Sequence, residues 1–486
     1  MKKIKIFILF VLASPFIFSQ DLDWAKNIGG SSAVFCKSMV LDVAGNIYVT
    51  GTYSVADFDP GPGTANLTSV NPHDVFIAKY DNSGNYIWAK SIVGTYGEEA
   101  VGIKLDPFGN IYLIGNFYNT TDFDPGVGIA NLSSNGQEDA FIAKYTNSGN
   151  YIWAKSFGSS GQDYCQDVEF DASGNVYVVG SFEGTTDFDP GAGSANLTSA
   201  GNWDVYMAKY DLNGNYNWAT NMGGASIDFG LGLELDGFGN IYLDAYFSGT
   251  SDFDPGPSSF NLSVGSGANT CIAKYNNSGN FIWAKAIGGN GTDLTGDIKL
   301  DQSGNIYLAG FFSQTGDFDP GVNVANLTSA GNDDIFIAKY DSGGNYIWAK
   351  KNGGINYDQC FSLVLSPNKN IYLTGRKNFN SAADIFILKY DTLGNSLAEM
   401  DMGYADYNEG TSIQIDASEN IYLSGIFSGT LNIDPNAAAG TSLTAIGYVD
   451  MFIAKYKTTA TGIKDNNRDQ FSEAVIYPNP AKSNFG

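Results

Sequence analysis

An element of about 65 residues recurs along this chain, and a unit of that size repeated in tandem can bury its apolar residues only by packing copy against copy. The tyrosine of an Asn-(Ile/Val)-Tyr motif marks each copy: Tyr48, Tyr112, Tyr177, Tyr242, Tyr307, Tyr372 and Tyr422, at steps of 64, 65, 65, 65, 65 and 50 residues. A second motif, Phe-Ile-Ala-Lys-Tyr, tracks it and ends at Tyr80, Tyr145, Tyr210, Tyr275, Tyr340, Tyr390 and Tyr456. A third, Trp-Ala-Lys, starts at Trp24, Trp88, Trp153, Trp218, Trp283 and Trp348 and decays to Leu-Ala-Glu at Leu397.

Each copy reads as four strands. In the second copy they are Val101 to Asp106, Ile111 to Phe117, Ala140 to Tyr145 and Tyr151 to Phe157. Tight-turn spacers such as Pro-Phe-Gly-Asn and Thr-Asn-Ser-Gly-Asn separate them, with Gly supplying positive φ and Asn or Asp bonding the local backbone. With 59 Gly, 14% aromatic and only 16% charged residues, the composition favours short strands over helices. The expected fold is all-β: a seven-bladed β-propeller of four-stranded antiparallel blades. The N-terminal Asp-Leu-Asp-Trp-Ala-Lys is an unpartnered outer strand, and the last copy, Thr411 to Tyr456, lacks one. The ring is therefore expected to close by the N-terminal strand completing the last blade, leaving no open edge and a monomer.

The core Asp42-Val-Ala-Gly-Asn-Ile-Tyr-Val-Thr-Gly51 resembles the bacterial SBBP-type propeller repeat, and the resemblance spans about 21–456. It implies a propeller and no single activity. Ahead of it, residues 1–19 combine Lys2, Lys3 and Lys5 with an apolar run ending in small residues, the pattern of a secretory signal peptide. After a polar linker at 457–472, residues 473–486 contain Tyr477-Pro-Asn-Pro-Ala481, which resembles the opening of the type A sorting domain of the type IX secretion system. Only the start of such a domain is present. These ends imply export through the periplasm to the cell surface or beyond, with the type IX machinery as a partner. Removing the three leader lysines from 26 basic residues leaves 23 against 51 acidic ones, so nucleic acid is excluded as a partner on charge.

Asp-Phe-Asp-Pro-Gly occurs five times, giving the acid pairs Asp57 and Asp59, Asp122 and Asp124, Asp187 and Asp189, Asp252 and Asp254, and Asp317 and Asp319, with an echo at Asn432 to Asn436. The short sixth copy lacks it, which places the motif on an insertion between second and third strands. Two readings stand. The acids cap their own turns through backbone N–H groups, or they contribute oxygens to Ca2+, a hard cation that needs further ligands from neighbouring loops. A second set lies 14 residues before the marker tyrosines: Glu98, Asp163, Asp228, Asp293 and Asp358, with Asn408 and Val34 in the remaining copies. These are expected to form an inner acidic ring on the same face, offered to a partner. The Asn-Leu-Thr/Ser segments after the loops read as strand rather than glycosylation sites.

The single His73 removes histidine triads and histidine-ligated metals. Cys36, Cys165, Cys271 and Cys360 lack paired metal spacing and read as buried thiols. The expected function is a non-catalytic, exported binding or scaffold protein, acidic on its loop face and engaging a protein or polysaccharide at the cell surface. No cofactor is required by the sequence. The alternative is a hydrolase or lyase that acts on polysaccharide with a carboxylate pair.

Overall fold

The computed structural model describes residues 20–71, 73–380, 382–403, 406–434 and 441–458; the leader over 1–19, the Tyr477-to-Ala481 motif and most of the linker lie outside them. The marker motifs become antiparallel strands paired in chain order. In the second copy, Glu98–Leu105 pairs with Ile111–Asp122, which pairs with Asn131–Tyr145, which pairs with Tyr151–Phe157. The other copies repeat this, and the last one, Asn408–Ile415, Ile421–Phe427 and Asp450–Thr458, takes Gln20–Ile28 as its outer strand.

The turns follow from their residues. Asp42 accepts the backbone N–H groups of Ala44 and Asn46, both at 2.9 Å, while Gly45 at φ 79° closes the turn. Lys369 and Glu419 hold the same left-handed geometry in copies six and seven without the freedom of Gly.

The first seven residues of the second strands in copies one to three are buried, and their tyrosines organise the packing. Lys144 of the Ala-Lys-Tyr motif lies over the Tyr112 ring at 4.9 Å, and Trp153 packs edge-on to it at 5.7 Å. Trp24 of the N-terminal strand makes the same edge contact with Tyr422 of the last copy, at 6.4 Å. The apolar core is divided into clusters between neighbouring sheets: Tyr48, Val75 and Ile77 of the first copy pack with Ile103, Leu113 and Phe117 of the second. Tyr422, Met451 and Ile453 of the last pack in the same way with Val34, Met39 and Val49 of the first.

First strands adjoin each other in chain order: Val34–Leu41, Glu98–Leu105, Tyr164–Phe170, Asp228–Leu235, Asp293–Leu300, Tyr357–Leu365 and Asn408–Ile415, with the last also adjoining the first. They surround a cavity of about 370 Å³.

The insertion is more than a loop. Its arms lengthen the second and third strands, so that Asp122 pairs with Asn131 and the Asn-Leu-Ser segment is strand. The same arm pairs with the outer strand of the preceding copy, Val93 with Asp122 and Gly94 with Thr121, a strap from sheet to sheet. Gly223 with Asp252 and Gly288 with Asp317 repeat it.

Candidate functional site

The Asp-Phe-Asp-Pro-Gly acids are occupied with their own turn. Asp57 Oδ1 accepts the N–H groups of Asp59 at 3.0 Å and Ala65 at 2.7 Å, and Asp59 Oδ1 accepts that of Gly61 at 2.8 Å. Phe58 is fully buried, and the Tyr80 hydroxyl donates to its carbonyl at 3.0 Å. The same bonds recur around Asp122 and Asp124, Asp187 and Asp189, Asp252 and Asp254, and Asp317 and Asp319. In the last copy the Tyr456 hydroxyl donates to Ile433, while Asn436 lies outside the described residues. Among the described residues, no three Asp, Glu, His or Cys side chains are grouped to hold a metal ion.

The second acidic set is not a surface. Glu98, Asp163, Asp228, Asp293 and Asp358 are at most 2% exposed, so the ring expected to meet a partner is buried between sheets. Each accepts bonds from nearby structure: Thr121 Oγ1 donates to Glu98 at 3.0 Å, Thr186 Oγ1 to Asp163 at 2.9 Å and Ser251 Oγ to Asp228 at 2.6 Å. Gly289 N–H donates to Asp293 at 2.7 Å, and Gly354 N–H and Asn378 N–H donate to Asp358 at 2.6 and 2.8 Å. Burial pushes Glu98 up to about 7, with the charge of Asp74 adding to it, and pushes Asp163, Asp228 and Asp293 up to about 6. A third repeated acid, at the start of the third strand, faces this set; burial lifts Asp139 to about 7, with Asp163 adding to it.

Other positions of the repeat differ from copy to copy. Thirteen residues before the marker tyrosines the chain places Phe35, Glu99, Tyr164, Phe229, Leu294, Gln359 and Glu409. On one arc, half-buried Tyr164, Trp203, Phe229 and Tyr246 form a continuous aromatic group. Trp203 and Phe229 lie 5.6 Å apart, and Phe229 stacks on Tyr246 at 5.3 Å with rings 2° from parallel. On the opposite arc, Arg376 pairs with Glu409 at 3.1 Å and donates to Gln359 at 2.7 Å, and the Tyr407 hydroxyl donates to Glu409 at 2.5 Å. A cavity of about 520 Å³ opens beside it, lined by Phe35, Tyr407, Glu409 and Tyr448.

Deeper in the cavity, copies two to five add charge. Lys104 bridges Asp167, at 2.8 Å, and Glu169; Lys299 bridges Glu234 at 2.7 Å and Asp297 at 2.9 Å. Asp244 stands where other copies have Thr50, Ile114, Val179, Ala309, Thr374 and Ser424. Burial lifts Asp244 to about 8 against the hydrogen bond from Thr295, with the charges of Asp297 and Asp167 adding to it, and lifts Glu234 to about 7 against Lys299.

Sequence reasoning passed over this group because it looked for what repeats. The available signal was the opposite one: at two residues after the marker tyrosine, only the fourth copy carries a carboxylate. The four cysteines are free and buried. His73 sits at the edge of the first insertion, 3.3 Å from Ser54 Oγ.

Comparison with known proteins bears on the fold. A sequence model of SBBP, the β-propeller repeat, matches residues 23–59. The chain is 24% identical over 430 residues to an uncharacterized WD repeat-containing protein of Acanthamoeba polyphaga mimivirus, which covers 74% of this chain and 30% of that protein. It is 23% identical over 142 residues to the regulatory protein FlaEY of Caulobacter vibrioides, covering 29% and 14%. The chain thus spans under a third of the length of either relative. Among solved structures, a polysaccharide lyase aligns with a TM-score of 0.43 at 9% identity, covering 92% of this chain and 94% of its own. The WD40 β-propeller domain of Doa1 gives 0.40 at 10%, covering 89% and 96%. A periplasmic gluconolactonase of Pseudomonas aeruginosa gives 0.37 at 10%, covering 78% and 95%. With one copy matched by the repeat model and antiparallel four-strand units along the chain, the fold is that of a β-propeller.

Proposed function

We propose that this chain is an exported, non-catalytic, seven-bladed propeller, closed by its N-terminal strand, that binds a polysaccharide or protein at the cell surface through the mouth of its central cavity. The observation that carries this reading is the aromatic arc of Tyr164, Trp203, Phe229 and Tyr246. Amphipathic rings gathered at a concave mouth suit the apolar face of a sugar or the side chains of a partner, at small cost in conformational freedom. The repeated acids support a scaffold role, because each accepts hydrogen bonds within its turn or between sheets. Export and the type IX partner rest on the two chain ends, and the protein is proposed to act as a monomer.

The test is capture of native cell-surface polysaccharides and proteins on the immobilised chain, compared with a Tyr164→Ala, Trp203→Ala double variant. Binding lost in the variant, with an unchanged melting temperature, supports the reading; equal capture by both removes the aromatic arc from it. The enzymatic alternative has one observation in its favour, the unlike environments of Asp244 and Glu234 in a single cavity. Incubation with acidic and neutral polysaccharides, followed for new reducing ends and unsaturated products, decides it. Turnover abolished by Asp244→Asn would replace the binding reading.

A further inference from the structure

The central cavity is lined by more carboxyl groups than cations. Its lining includes Asp167, Glu169, Glu234, Asp244 and Asp297 against Lys104 and Lys299. Lys37 also borders the space, but its ammonium is taken by Glu99 at 2.7 Å. Lys104 and Lys299 are each held between two carboxylates. Asp167 and Asp297 have further fixed duties: their Oδ2 atoms accept the N–H groups of Leu233 and Leu363 in the next sheet, at 3.1 and 2.9 Å.

Asp244 stands apart from these pairs. It is 1% exposed, its Oδ1 accepts a 2.5 Å bond from Thr295 Oγ1, and its Oδ2 is buried without a hydrogen-bond partner among the described residues. The groups facing it from adjoining strands are Thr295, Asp297 and Asp167, none of them a cation. Gly232 lies beside it: a Cβ there would meet Ile298 Cγ2 at 3.1 Å, with Asp167 Oδ2 at 3.9 Å and Asp244 Oδ2 at 4.0 Å, so the backbone packs closely on this side and the open space lies toward the cavity that Asp244 lines. A buried carboxyl oxygen with no partner is costly. That cost is removed by a positively charged hydrogen-bond donor in the cavity beside Asp244.

We propose that the central cavity binds a small organic cation carrying an alkylammonium group, with Asp244 as its anchor. A space of about 370 Å³ is of the size that holds a small molecule. Phe170 and Phe361 on its wall offer apolar surface to an alkyl chain. A bare metal ion fits less well, because among the described residues no three carboxylates converge on one point. An ammonium needs no such convergence: it donates in separate directions, to Asp244 and to oxygens of the neighbouring acids. The site belongs to the fourth copy and its neighbours alone, since every other copy has an uncharged residue in place of Asp244. This inference is independent of the binding role given to the outer mouth.

Isothermal titration of the full chain with 1,4-diaminobutane tests it, with 1,4-butanediol as the uncharged counterpart and calcium chloride as the metal alone. The diamine is expected to bind with a Kd below about 1 mM, and the diol and calcium to give no heat. Asp244→Thr, which restores the residue of copies one and six, should weaken diamine binding by about tenfold or more. Asp244→Asn, nearly the same in shape, should do likewise, and melting curves of both variants should match the parent. No heat from the diamine at about 10 mM would overturn the proposal. So would unchanged affinity in two folded variants, or calcium binding that the same substitutions abolish.

Discussion

Replacing Glu98 by glutamine should stabilise the protein at pH 8 relative to pH 4, the reverse of what removing an ordinary salt-bridged carboxylate does. Glu98 is 2% exposed, and burial, with the Asp74 charge beside it, raises its carboxyl from the usual 4.5 to about 7. Between those two values the folded protein holds a proton that the unfolded chain has released. Stability therefore falls as pH rises through that window and levels off above it. At 1.36 kcal/mol for each pH unit, the gap corresponds to about 3 kcal/mol, an upper figure because a relaxed site admits some water. Glutamine keeps an oxygen to accept the Thr121 hydroxyl and cannot ionise. Its difference from the parent should accordingly shift by about 2–3 kcal/mol in its favour between pH 4 and pH 8. Urea unfolding of both proteins at four pH values across this range measures it. A constant difference at every pH would show that Glu98 titrates like an exposed carboxyl and refute the account of the buried set.

Tyr145→Phe removes the hydroxyl that donates to the Phe123 carbonyl at 3.0 Å and leaves that carbonyl buried and unpaired. A loss of about 1–3 kcal/mol in urea unfolding is expected, and an unchanged midpoint would show that the bond does not hold the strap. Deleting 21–30 strips the last copy of its outer strand and removes Trp24 from Tyr422, so light scattering should report aggregation; a soluble, folded monomer would argue against closure by that strand. Calcium at about 5 mM is expected to leave the melting temperature unchanged, because the loop acids already hold backbone N–H groups. A rise that Asp122→Asn and Asp124→Asn abolish would give these loops a cation instead.

The strands were legible because their signals are local. Period, turn residues and the apolar second strand together identify each copy, and the orphan Trp24 segment finds its partner in Asp450–Thr458. The insertion was legible as an insertion, since the sixth copy omits it, but not as a strap. Its pairing with the preceding sheet joins Val93 to Asp122, a contact set by the arrangement of sheets rather than by local pattern. The acids 14 residues before each tyrosine were located correctly in the repeat and given the wrong environment. A polar residue at a strand end reads as exposed in a sequence, whereas here the strap and the adjoining sheet cover it, leaving Asp163 and Asp228 with no exposed surface.

Repetition itself separates architecture from function in such a chain. A residue repeated in the copies that carry the insertion, such as Tyr145 or Asp122, makes the same bond in each of them: the tyrosine hydroxyl donates to the loop carbonyl, and the carboxylate accepts backbone N–H groups. A position that varies is one the sheet leaves open. Thirteen, ten and eight residues before the marker, and two after it, the side chains change from copy to copy while the backbone pairing does not. The positions ten and eight before the marker line the cavity together with Ile114 and Asp244, and there Asp244 keeps an oxygen with no hydrogen-bond partner among the described residues. A chain of like units acquires one distinctive site only by departing from its own repeat, and in this chain such departures meet in the cavity between the first strands.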